Sequence, residues 1–150
     1  MMRQAGSGRH VFKTAIGPVG VAWTPRGIRR LEIGQPDTAA TDAVLAAKCP
    51  GLERMSRPPV AVAAVAGRLR ASLRGIADDF LDVPLDMGDA TPFARAVWRR
   101  LRKVPRGQVI TYGELAKACG RPLASRAVGR IMGANPVPVI VPCHRCVGAD

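Results

Sequence analysis

Three short runs near the start of the chain are built of β-branched and apolar residues: VFKTAI (11–16), VGVAWT (19–24) and GIRRLEI (27–33). Gly17-Pro18 separates the first two, and Pro25-Arg26-Gly27 separates the second from the third. Both are turn-forming sequences, so the pattern predicts two hairpins and three antiparallel strands. DTAATDAVLAAK (37–48) reads as a short helix behind an Asp37 cap, and CPGLERMSRPP (49–59) as a linker. AVAAVAGRLRASLRG (61–75) is a stronger helix closed by Gly75. ADDFLDVPLDMGDA (77–90) is acidic and has no helical period. It reads as an extended connector and sets a domain boundary, with one domain over 1–85 and a second over 86–150.

The second half is helical. TPFARAVWRRLRKV (91–104) opens with Thr91 as N-cap and Pro92 at the first helical position. Phe93, Ala96, Val97, Leu101 and Val104 fall on one face, with Arg95, Arg99, Arg102 and Lys103 largely elsewhere. Thr111-Tyr112-Gly113-Glu114 is a capping box that starts a helix running to about Ala118. Cys119-Gly120-Arg121-Pro122 then turns the chain into LASRAVGRIMG (123–133), with Leu123, Ala127, Val128 and Ile131 facing inward. Two short helices joined by a Gly-containing turn match a helix-turn-helix, a device that helical bundles also use. Ser125, Gly129 and Gly133 form a strip of small residues bracketed by Arg126 and Arg130. A mid-helix glycine costs about 1 kcal/mol relative to alanine. Such a strip lets a helix backbone approach either nucleic acid or another helix closely.

Charge changes this picture. Residues 1–90 hold twelve Lys/Arg against nine Asp/Glu, whereas residues 91–150 hold eleven against two. A basic half beside a nearly balanced half suggests a polyanion-binding face, most simply nucleic acid. Nineteen of the 23 basic residues are Arg, in a chain also rich in Ala, Gly and Pro, so coding composition alone accounts for the bias equally well. No run of eighteen apolar residues is present, and MMRQAGSGRHVFK lacks the apolar core of a signal peptide. The expectation is a cytoplasmic protein without membrane contact, whose four cysteines are thiols.

VPCHRCVGAD (141–150) carries the chemistry. Three prolines alternate with β-branched residues over 136–142, which predicts a stiff extended segment mounting Cys143. His144 and Arg145 beside it favour the thiolate. Four readings of Cys143 remain at this level: nucleophile, partner of Cys146 in a thioredoxin-type spacing, metal ligand, or inert buried thiol. The redox spacing lacks the βαβ start of its fold. Zinc needs about four ligands, and His10 is distant in sequence. The inert reading suits Cys49 and Cys119.

TPFARAVW, GQVITYGELA and SRAVGRIMGANPVPVIVPCHR together resemble the methylated-DNA–protein-cysteine methyltransferases, also called O6-alkylguanine-DNA alkyltransferases. The resemblance runs almost unbroken from Thr91 to Val147. It extends more loosely into the first half through GPVGVAWTPRGIRRLEIG and the helix before DFLDVPLD. It implies an α+β protein: a small N-terminal α/β domain with a three-stranded antiparallel sheet (ribonuclease H-like) and a mostly helical, winged-helix/helix-turn-helix-like C-terminal domain. It also implies irreversible transfer of an alkyl group from O6-alkylguanine, with O4-methylthymine as a further substrate, to Cys143. By resemblance, His144 accepts the thiol proton through a water. Tyr112 helps swing the nucleotide out and hydrogen-bonds the base, Arg126 fills the vacated stack, and Asn135 is a hinge. Ser125, Gly129, Arg130 and Arg145 join Arg126 and Tyr112 as DNA-binding residues. The implied partner is double-stranded DNA, bound by a monomer, with no cofactor and no metal.

Two departures stand out. The family places two valines after Pro-Cys-His-Arg, and Cys146 replaces the first of them here. The family pattern also continues into a glycine-rich loop and a helix whose glutamate hydrogen-bonds the histidine, whereas this sequence stops at Asp150. Either the sequence is a shortened member, or another acid takes the glutamate's place, or the protein binds poorly and reacts slowly; a shortened member is expected to be marginally folded and slow. The alternative is a non-enzymatic binder of alkylated DNA, which needs Arg126 and Tyr112 but no thiol transfer.

Overall fold

The computed structural model describes residues 2–148. The chain divides after Asp86 into two compact units.

The first unit is built on three antiparallel strands in sequential order: β1 (Gly8–Thr14), β2 (Gly17–Thr24) and β3 (Gly27–Ile33). β1 and β2 pair from Gly8 opposite Trp23 to Thr14 opposite Gly17, so the first hairpin turns where Gly17 adopts φ 106°. β2 and β3 pair with a register shift between Ala22 and Trp23. Helix α1 (Thr38–Lys48) begins as the sequence predicts, with the Asp37 side chain accepting from the Ala40 amide at 2.8 Å. It lies on β2 so closely that a Cβ at Gly20 would come within 2.5 Å of a Leu45 methyl. Helix α2 (Val60–Ser72) buries Val62, Val65 and Leu69 and meets the sheet at β1, while the sheet itself buries Val19, Val21, Trp23, Ile28 and Leu31.

The acidic stretch after α2 departs from an extended connector. Arg68 reaches from α2 to hold both Asp78 and Asp82 at 2.8 Å. The Asp78 side chain accepts from the Phe80 amide, and Phe80 is buried with φ 53° beneath the Arg68 guanidinium. The acidic residues thus tie a turn to the helix that precedes them.

The second unit contains α3 (Pro92–Leu101), β4 (Ile110–Thr111), α4 (Tyr112–Ala118), α5 (Ser125–Gly133) and β5 (Cys146–Val147). Thr91 caps α3 through the Ala94 amide at 3.1 Å. The buried face of α3 is Ala94, Val97, Trp98 and Leu101, continued by Val104, while Phe93 and Ala96 lie at its margin. It is thus rotated toward Trp98 from the face read in the sequence, because the large indole commands more buried area than Ala96. α5 starts two residues later than expected. Pro122 and Leu123 form a turn in which the Ala124 amide bonds to the Arg121 carbonyl at 3.0 Å. Leu123 is therefore 98% exposed and does not face the core, which Val128 and Met132 occupy instead. The architecture is α+β, as the sequence implies.

Candidate active site

Thr111 is the joint from which the site is assembled. Its hydroxyl accepts from the Glu114 amide at 3.0 Å and its own amide donates to Glu114 Oε2 at 2.9 Å, a complete capping box. That box fixes Tyr112 as the first residue of α4. Thr111 also pairs in parallel with Val147, and Ile110 with Cys146. This two-residue ladder brings the segment that carries Cys143 beside the start of α4. The sequence reads 109–111 as a brief extended segment, but the pairing with Cys146–Val147 leaves no trace, because two residues are too few to show a pattern.

Cys143 does not stand on an extended segment. Over 137–141 the chain closes a turn, with the Val141 amide bonded to the Val137 carbonyl at 2.9 Å and Val139 at φ 74°. Cys143, His144 and Arg145 then form one turn of 3-10 helix. Prolines fix φ near −65°, a value that turns share with extended chain, so alternating prolines did not distinguish the two. Asn135 holds the fold of this loop from the end of α5. Its side-chain nitrogen donates to the Val141 carbonyl at 2.9 Å, and its oxygen accepts from the Val137 amide at 3.0 Å. Arg145 anchors the other side, donating to the Val104 carbonyl just beyond α3 at 2.8 Å. That bond makes the Arg145 guanidinium a strut under the Cys143 turn.

The cysteines differ sharply. Cys143 is half-buried, whereas Cys146 is buried at 6% exposure. Burial, and then the neighbouring Cys143, push the Cys146 thiol up to about 11. Burial also raises Cys119, against the opposing influence of Arg100, and raises Cys49. Such thiols are poor nucleophiles at neutral pH. His144 is exposed, and its imidazole lies below its ordinary value through partial desolvation and then the positive charge of Arg145. It is therefore neutral at pH 7 and able to accept a proton. Among the described residues all four cysteines are free, and no cluster of three or more His, Cys, Asp or Glu is placed to hold a metal ion.

α5 carries the small-residue strip. Gly129 packs toward α4, and a Cβ there would lie 4.0 Å from the Tyr112 ring. At about 100° per residue, Arg126 and Arg130 both fall to one side of Ser125, Gly129 and Gly133, so they flank the strip instead of bracketing it. Both arginines are exposed. Arg130 also rims a groove of about 660 Å³ between α3 and α5, floored by Phe93, Trp98, Ala127 and Ile131. Arg121 lies over the Phe93 ring there, 4.6 Å from its centre. Ser125 is half-buried at the first position of α5.

Comparison with known proteins bears on the same region. The family profile described as "6-O-methylguanine DNA methyltransferase, DNA binding domain" matches residues 92–150. The solved O6-methylguanine-DNA methyltransferase of Pyrococcus kodakaraensis superimposes with a TM-score of 0.70 at 30% identity, covering 95% of this chain and 87% of that one. The chain belongs to the methylated-DNA–protein-cysteine methyltransferase family.

Other members of the family agree. Mycobacterium tuberculosis OGT in complex with DNA superimposes with a TM-score of 0.74 at 30% identity, over 94% of this chain and 78% of that one. The methylated-DNA–protein-cysteine methyltransferase of Salmonella typhimurium is 59% identical over 60 residues. That match spans 40% of this chain and 35% of the relative. The counterpart from Mycolicibacterium paratuberculosis is 43% identical over 92 residues, spanning 61% and 54%. Among the described residues no helix is long and apolar enough to cross a membrane.

Proposed function

We propose that the protein repairs DNA by moving the alkyl group of O6-alkylguanine, and of O4-methylthymine, onto the Cys143 sulfur in a single irreversible event. Family membership supports the reaction class. The observation that carries the assignment to this residue is that the half-buried Cys143 shares one 3-10 turn with His144, whose ring, lowered by partial desolvation and the Arg145 charge, is free to take a proton.

A base stacked in a duplex is out of reach of such a thiol, so the damaged nucleotide is first turned out of the helix, at a cost of a few kcal/mol. α5 lies along the minor groove, where its small strip permits close approach and readout is nearly indifferent to sequence. Arg126 enters the gap left in the stack, and Arg130 meets the backbone. Tyr112, held at the start of α4 by the capping box, receives the extruded base. His144 then takes the Cys143 proton through a water. The sulfur attacks the alkyl carbon, the S–C bond forms, and the C–O bond breaks with its electron pair passing to guanine O6. A hydrogen bond from the Tyr112 hydroxyl stabilises the departing base, which regains a proton from that direction. Asn135 and Arg145 act through position: they fix the turn on which Cys143 and His144 stand. The protein acts on its DNA as a monomer in the cytoplasm.

The test is disappearance of the lesion from a duplex carrying one O6-methylguanine, run with the wild type and with Cys143→Ala. The wild type should clear the lesion, and the variant should bind this duplex but leave the lesion intact. A wild type that binds as well as the variant and also leaves the lesion intact would instead make the protein a damage binder.

A further inference from the structure

Cys143 and Cys146 stand at the two ends of one 3-10 turn, with the Cys146 amide donating to the Cys143 carbonyl. Cys146 itself leaves the turn in an extended conformation, at φ −104° and ψ 123°, as the first residue of β5. A turn of this kind holds its end Cα atoms within about 7 Å, overlapping the separation of about 4.4–6.8 Å that a disulfide takes. The ladder to Ile110 fixes the Cys146 backbone, and the strut from Arg145 to Val104 fixes the turn between the two sulfurs. One thiol is open to small solutes and the other is shielded, and the shielded one responds to charge on its neighbour.

We propose that Cys143 and Cys146 form a reversible intramolecular disulfide under peroxide, which holds the Cys143 sulfur in a recoverable state. Hydrogen peroxide takes two electrons from the Cys143 sulfur. Its O–O bond breaks, one oxygen remains on sulfur as sulfenic acid, and the other leaves as water. The Cys146 sulfur then attacks the Cys143 sulfur; the S–S bond forms, the S–O bond breaks, and the oxygen departs as a second water with the Cys146 proton. A dithiol reverses the product, its own two thiols becoming a disulfide. The buried Cys146 is a slow attacker by its protonation, but its placement makes the step intramolecular, which offsets much of that disadvantage. Further oxidation of Cys143 to sulfinic or sulfonic acid would be irreversible in the absence of a dedicated repair enzyme. The consequence for alkyl acceptance rests on the function proposed above, whereas the disulfide itself does not.

Arg145 lies between the two cysteines, so trypsin separates them and only a disulfide keeps the two peptides together. Reduced full-length protein is treated with hydrogen peroxide, residual thiols are blocked, and the denatured protein is digested. In the wild type, the peptide ending at Arg145 should remain joined to the one beginning at Cys146 until dithiothreitol is added. Cys143→Ser should abolish the joined species. Cys146→Val, and independently Cys146→Ser, should abolish it and send Cys143 to acids that dithiothreitol does not reverse, lowering recovered Cys143 thiol several-fold. Equal recovery of Cys143 thiol in the wild type and both Cys146 variants would overturn the proposal. So would linkage to Cys119 or between chains in place of the Cys143–Cys146 product.

Discussion

Asn135 donates to the Val141 carbonyl at 2.9 Å while its oxygen accepts from the Val137 amide at 3.0 Å, so one carboxamide sets the path from α5 to the Cys143 turn. Both bonds go to backbone, which an aliphatic residue of any size cannot reproduce. Asn135→Ala should cost about 1–3 kcal/mol, since each bond contributes roughly 0.5–1.5 kcal/mol and its partner is left unsatisfied. Denaturant unfolding reads this directly. Alkyl transfer should slow further than the lost stability explains, and Asn135→Asp, which keeps the acceptor alone, should fall between.

Gly129 offers a separation of stability from binding. A methyl there meets only the Tyr112 ring, at the ordinary contact distance of 4.0 Å, and alanine gains about 1 kcal/mol of helix propensity. Gly129→Ala should therefore fold at least as stably as the wild type while weakening duplex binding by filling the strip. Unchanged duplex affinity in a stable variant would remove α5's small face from the interface.

Arg126 is exposed on α5. Its proposed work is confined to holding a duplex open, so Arg126→Ala should slow repair of duplex at least tenfold more than reaction with free O6-benzylguanine, which needs no flipping. Equal losses on the two substrates would contradict that role. Duplex binding by the wild type should weaken steeply with added salt, because phosphate contacts release counterions.

The pH dependence follows from His144. Its folded-state pKa lies below the ordinary histidine value, owing to partial desolvation and Arg145. The unfolded chain therefore takes up the proton first as pH falls. The stability carried by the neutral ring is complete above about pH 6.5 and is lost as pH drops through the lower folded value. Alkyl transfer should hold level down to about pH 6.5 and fall below it, tracking the His144 ring in an NMR titration. Arg145→Gln should move both midpoints upward together. A transfer rate that ignores the His144 titration would exclude this ring as proton acceptor.

Local signals announced much of the fold. Gly17 and Gly27 mark the hairpins, Asp37 and Thr91 cap their helices, and the Thr111–Glu114 box starts α4, because each depends on neighbours within a few residues. Motif likeness names Cys143, His144, Tyr112 and Arg126, but it carries no geometry. The Cys143 loop was illegible for a physical reason: its shape is set by Asn135 reaching Val141, by Arg145 reaching Val104 and by Ile110 pairing with Cys146. None of these leaves a periodic trace. The same holds for Leu123, whose exposure comes from a turn after Pro122 that postpones α5, and for the acidic stretch that Arg68 gathers into a turn.

Peptide mapping after reaction with O6-methylguanine duplex measures directly which sulfur accepts the alkyl group. The prediction is one methyl per protein, carried wholly by the peptide that contains Cys143, with none added by undamaged duplex. A methyl on Cys146 or Cys119 with Cys143 left free, or a bound duplex whose methyl never leaves guanine, would contradict it.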